Sequence, residues 1–129
     1  MAISILTGQI VWVFGAFPCG EFPDLKIFRM GLLGVLDNGE KVIADGGYKG
    51  EVAIWAKGHS NNPLTSRMEG VIRARHETIN SRLKIFSVLS TRFRHDLDMH
   101  SRCFHACANL VSLVMKHEMP AFEVDYNEY

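Results

Sequence analysis

Two carboxylates and two cations in this sequence have the types and spacing to do chemistry together. The run from Arg73 to Lys84 reads as helix, because Arg73, Glu77, Asn80 and Lys84 recur at steps of four, three and four. Met68, Ile72, Ile79, Leu83 and Phe86 recur in the same way about a third of a turn round, so one face is core and its neighbour is polar. A single carboxylate, with a cation one turn before it and another two turns after it, suits a group held ready for a metal or a phosphate. The other carboxylate, Asp45, follows the short apolar run Lys41-Val42-Ile43-Ala44 and precedes Gly46-Gly47-Tyr48. That puts it at a strand end, with two residues behind it that carry no side chain, where a ligand can reach it. Asp45 and Glu77 together offer the hard oxygen donors that Mg²⁺ or Mn²⁺ takes. Each also has a plainer reading: Asp45 as a turn residue capping its own loop, and Glu77 as the i,i+4 partner of Arg73.

The elements that must position these groups follow from pattern. Ile3 to Leu6 and Gln9 to Phe14 are rich in Ile, Val, Trp and Phe, and Thr7-Gly8 between them supplies the corner of a hairpin. Gly15 to Pro23 is a loop. Asp24 to Leu36 carries Leu25, Phe28, Leu32, Leu33 and Leu36 at helical spacing, and Asp37-Asn38-Gly39 ends that helix. After the strand that delivers Asp45, a further strand over Glu51 to Ala56 and a loop from Gly58 are expected. Pro63 then fits the first turn of the long helix, with Asn62 as its cap, and the helix should run to about Leu89. A last helix from about Asp96 to His117 turns Leu97, Phe104, Ala108, Val111 and Met115 to one side. The acidic tail from about residue 118 either adds an edge strand through Phe122, Val124 and Tyr126 or dangles.

Arg73-x3-Glu77-x6-Lys84, preceded by the strand and its Asp45-x-Gly47-Tyr48, resembles the DDE transposases of the insertion-sequence and Harbinger-like type. Thr7 to Trp12, Phe17 to Gly20, Pro23 to Arg29, Lys41 to Tyr48 and Arg75 to Lys84 look like consecutive segments of that family's endonuclease domain, so the resemblance covers nearly the whole chain. It implies an α/β, ribonuclease H-like fold with a mixed sheet and flanking helices. It also implies the cutting and joining of double-stranded DNA at transposon ends by Mg²⁺ or Mn²⁺ held by three carboxylates. By resemblance Asp45 matches the second Asp of that set and Glu77 the Glu, while Arg73 and Lys84 match cations that contact DNA phosphate.

Three departures from the family pattern matter. Gly70 stands where many relatives have a Tyr three residues before the Arg. Asp24 falls where many members also have an Asp; it reads as a helix cap or structural polar residue, with metal binding as a lesser alternative. The family's first Asp belongs to a central strand upstream of the hairpin, and these 129 residues contain no match to it. The expectation is therefore a single partial catalytic domain over residues 1–129, truncated at its N-terminus and inactive by itself. A homo-oligomer or a complementing transposase chain would then be its partner. The alternative is a transposon-derived remnant that binds DNA or protein without catalysis.

Composition is compatible with either. Hydrophobic residues make up 47% of the chain, enough for a core, and Lys+Arg 14 against Asp+Glu 14 gives no global bias toward nucleic acid. The charge is uneven, however: a basic middle from Arg67 to Arg102 is followed by Glu118, Glu123, Asp125 and Glu128 with no Lys or Arg. Three cysteines and no secretory leader read as an intracellular, reduced protein, nuclear if the source is eukaryotic. The apolar opening is interrupted at Thr7-Gly8-Gln9 and Gly15, too early for a membrane span. His100, Cys103 and Cys107 share a helix face and are either a partial Zn²⁺ ligand set or packed side chains. Arg92-Phe93-Arg94-His95 is either a DNA contact or the corner between two helices with Phe93 buried. Trp12 and Trp55 either stack on bases or fill the core.

Overall fold

The computed structural model describes residues 1–18, 20–56, 63–117 and 122. It is a mixed α/β structure with two small sheets and several helices, and it divides into two compact units. One comprises Met1–Phe17 with Ala74–Tyr129, the other Pro18–Arg73.

In the first unit, β1 (Ala2–Ile3) and β2 (Ile10–Trp12) form an antiparallel hairpin with Ala2 opposite Trp12 and Ile3 opposite Ile10. The strands are shorter than the sequence suggested, because the corner takes more residues: Gly8 N–H bonds to Ser4 O at 2.8 Å and Ser4 N–H to Gln9 O at 2.9 Å. Gly8 supplies the left-handed backbone this corner needs, with φ +71°. The C-terminal part of α2 (Pro63–Leu83), α3 (Ser87–Ser90) and α4 (Leu97–His117) complete the unit. Asp96 caps α4, its Oδ1 accepting from Met99 N–H at 2.7 Å, and this bond holds its carboxyl below the usual range. Ile79 and Leu83 from α2 meet Cys107, Ala108, Val111 and Met115 from α4, the four-and-three spacing of each helix presenting one face. Met1, Ile3, Ile10, Val13, Phe104 and Phe122 close over that cluster. Ser101 on α4 donates its hydroxyl to Gly15 O, tying the loop after β2 to the helix.

In the second unit, α1 (Asp24–Met30) is followed by a 3-10 turn over Leu32–Val35, then β3 (Val42–Ala44), a second 3-10 turn over Gly46–Tyr48, and β4 (Ile54–Ala56). β3 and β4 pair in parallel, with Val42 opposite Ile54 and Ala44 opposite Ala56. Among the described residues its buried apolar side chains are Phe28, Leu32 and Ile54. Arg29 ties α1 to the loop before β4, donating from Nε to Glu51 Oε2 at 3.0 Å and from Nη2 to Gly50 O at 3.4 Å. α2 begins in this unit at Pro63, and the division falls between Arg73 and Ala74 within that helix.

Four expectations need correction. The helix from Asp24 does not reach Leu36: Gly31, at φ −129° and ψ −77°, leaves helical geometry, and the chain resumes as a 3-10 turn. The long helix stops at Leu83 rather than Leu89, because Lys84 and Ile85 form a turn and Phe86 adopts extended backbone before α3. Leu97 is 46% exposed and does not join the buried side of α4, since it opens the helix beyond the reach of the core. Trp55 is 40% exposed, so it is not a core residue. The Asn62 cap and the loop from Gly58 lie outside the described residues, as does the tail from 118 except Phe122.

Candidate functional site

Asp45 stands where the sequence put it, immediately after β3, and it is exposed. Its extended backbone, φ −76° and ψ −176°, turns the chain into the Gly46–Tyr48 turn, and its Oδ1 accepts from Gly47 N–H at 2.9 Å. It therefore caps its own loop. One carboxylate oxygen is engaged in that bond, and a carboxylate has further lone pairs to offer a ligand.

Gly47 sits between two carboxylates. A β-carbon built on it would lie 3.2 Å from Asp45 Oδ1 and 3.7 Å from Asp24 Oδ2. Asp24 is the first residue of α1, whose cap is Pro23 and makes no side-chain capping bond, so Asp24 is not the cap that the sequence suggested. Instead α1 brings it to the turn that carries Asp45. Tyr48 belongs to the same cluster. Burial raises its phenol above the ordinary value of 10.0, and the negative charges of Asp24 and Asp45 raise it further. The sequence signal for this grouping was faint: Asp24 was visible as a family position, but nothing in the spacing joined it to residues some twenty positions later, and Tyr48 went unassigned.

Arg73 belongs to the same unit, on α2. Its side chain is half-buried, and Nη1 is enclosed without a hydrogen-bond partner. One turn earlier Glu69 is 3% exposed, and its Oε1 likewise has no partner. No periodicity in the sequence marks Glu69, which stands next to Met68 and three positions before Ile72 on the helix.

Glu77 and Lys84 belong to the other unit. Glu77 is exposed on α2, and among the described residues no ion pair joins it to Arg73. Its backbone carbonyl accepts from Ser81 Oγ at 3.0 Å. Asn80, on the same polar face, lies with Nδ2 3.3 Å from His76 Nδ1. Lys84 is exposed just past the end of α2, its N–H still bonded to Asn80 O at 3.0 Å.

Among the described residues, no three His, Cys, Asp or Glu side chains come together as a metal-binding group. That corrects the zinc alternative, whose three residues are all described. The His100 ring lies tilted against Phe93 with centroids 4.6 Å apart, and Cys107 is buried at 6% exposure, where burial, with Cys103 beside it, raises its thiol pKa. Phe93 also meets His95 at 5.4 Å, so Arg92 to His95 is the corner between α3 and α4, with Phe93 partly buried. For a hard divalent cation, Asp24 and Asp45 fit in donor chemistry. No helix among the described residues is long and apolar enough to cross a membrane. No protein-family profile, curated protein or solved structure matches the chain.

Proposed function

We propose that this chain is part of a divalent-metal-dependent nuclease of the DDE transposase kind, acting on double-stranded DNA, with a ribonuclease H-like arrangement of its elements. The observation that carries the reading is Asp45: an exposed carboxylate at the carboxyl end of a parallel strand, with glycines behind it and Asp24 beside it. In open α/β sheets, the carboxyl ends of the strands are where ligands bind.

In this reading Asp45 and Glu77 hold Mg²⁺ or Mn²⁺. Arg73 and Lys84 take DNA phosphate, each as a cation, since the enclosed Nη1 of Arg73 leaves its planar fork incomplete. A bound metal supplies Lewis-acid stabilisation of charge on the phosphoryl oxygens and acidifies bound water. Asp45 would keep its bond from Gly47 N–H, which fixes the orientation of the carboxylate before any ligand arrives. The family's remaining carboxylate would come from a segment outside these 129 residues or from a complementing transposase chain. Residues 1–129 by themselves are thus expected to bind metal without robust cleavage.

The test is Mn²⁺ binding followed by paramagnetic resonance or calorimetry on the purified chain, alongside a nicking assay in Mg²⁺ and Mn²⁺. Asp45→Asn should weaken metal binding at least tenfold, with Glu77→Gln weakening it further. Metal affinity unchanged in both variants would sink the nuclease reading. DNA retention without metal binding would leave a transposon-derived binding module as the account.

A further inference from the structure

α4 has a second apolar face that stays largely exposed among the described residues. On the buried side are Cys107, Ala108, Val111 and Met115; on the opposite side, Met99 is 46% exposed, Leu110 51% and Leu113 55%. Met99, Cys103, Ala106, Leu110, Leu113 and His117 follow one another at steps of four, three, four, three and four. That is the seam of a helix that packs lengthwise against another helix. Val114, 42% exposed, widens it on one flank.

We propose that this seam pairs antiparallel with α4 of a second copy of the chain. The pattern is self-complementary about its centre. In antiparallel register Ala106 lies opposite Leu110 of the other copy and Cys103 opposite Leu113, so each leucine meets a small side chain in both directions. Met99 lies opposite His117. The ends complement in charge as well: the first turn of α4 carries Asp98 beside the Asp96 cap, and the last turn carries Lys116 and His117. Antiparallel pairing sets the acidic turn of one helix against the basic turn of the other and opposes the helix dipoles. Arg102, which flanks the seam near Lys116 of the other copy, is already paired to Asp98 at 2.7 Å, so that lysine meets an ion pair rather than a bare cation. Parallel pairing would instead align the two acidic turns and set Leu110 against Leu110. The inference is independent of the nuclease reading.

Sedimentation equilibrium of the purified chain should give twice the 14.5 kDa mass of one copy, falling to a single copy for Leu110→Glu with unchanged circular dichroism. In a Cys19→Ser background, Leu113→Cys should cross-link to the native Cys103 of the second copy under mild oxidation, doubling the mass on a non-reducing gel, whereas the parent background should not. Cross-linking through Cys103 alone would indicate parallel pairing and overturn the proposal. A monomer at every concentration tested would also overturn it, whether the face stays open or is covered by the chain's own residues beyond His117.

Discussion

Asp45 does two jobs that a sequence reading treats as rivals. Its Oδ1 caps the turn at Gly47, and its exposure leaves the rest of the carboxylate facing solvent beside Asp24. A ligand site often needs such a self-oriented group, because the entropy of fixing the side chain is lost before binding. Tyr48 reports the cluster. With its phenol pushed up by burial and by both carboxylates, the unfolded chain ionises first, so the stability Tyr48 contributes is complete below pH 10.0 and is lost as pH rises through its folded value. Asp24→Asn or Asp45→Asn should each lower that folded value toward 10.0, as read from tyrosinate absorbance in a background with Tyr126→Phe and Tyr129→Phe. Identical titration of the variants and the parent would show that the carboxylates do not face the phenol.

At the scale of the element, α2 carries two different burdens. Its C-terminal half packs Ile79, fully enclosed, and Leu83 against α4. Ile79→Ala should cost about 2–5 kcal/mol in urea unfolding, the range for an aliphatic core side chain removed where neighbours cannot close the space. Its N-terminal half holds Glu69 at 3% exposure with Oε1 unpartnered, one turn from Arg73, whose Nη1 is also unpartnered. The i,i+4 spacing would let these two form an ion pair, yet no such bond exists among the described residues. A buried carboxyl oxygen left without a partner opposes folding, so Glu69→Met should raise stability by about 1–3 kcal/mol, measured as a higher urea midpoint with an unchanged slope. Destabilisation by that substitution would mean the carboxylate has a partner in solution.

For the molecule as a whole, charge is the property that links units to function. Net charge is +0, so any DNA affinity must come from local cations rather than a general basic field. If Arg73 and Lys84 contact phosphate, the double variant Arg73→Ala with Lys84→Ala should reduce the slope of log K against log salt by about two, at roughly 0.9 per phosphate neutralised. An unchanged slope would remove both residues from the interface. Fluorescence anisotropy with a labelled duplex over a salt series makes that measurement.

Local chemistry was legible in the residues themselves. The hairpin at Thr7-Gly8, the start of α2 at Pro63, the delivery of Asp45 by β3 and the extent of α4 from about Asp96 to His117 all follow from φ-permissive glycine, the fixed φ of proline and period-two or period-3.6 apolar spacing. These effects act within a few residues, so no distant partner is needed to foresee them. Tertiary packing decided the rest. Gly31 breaks the helix that the leucine spacing would have carried to Leu36. The gathering of Asp24 to Asp45 and Tyr48, the burial of Glu69 without a partner, and the exposure of one apolar face of α4 while the other enters the core depend on which surfaces meet. Period alone marks a face as apolar, and only the packed chain determines what covers it.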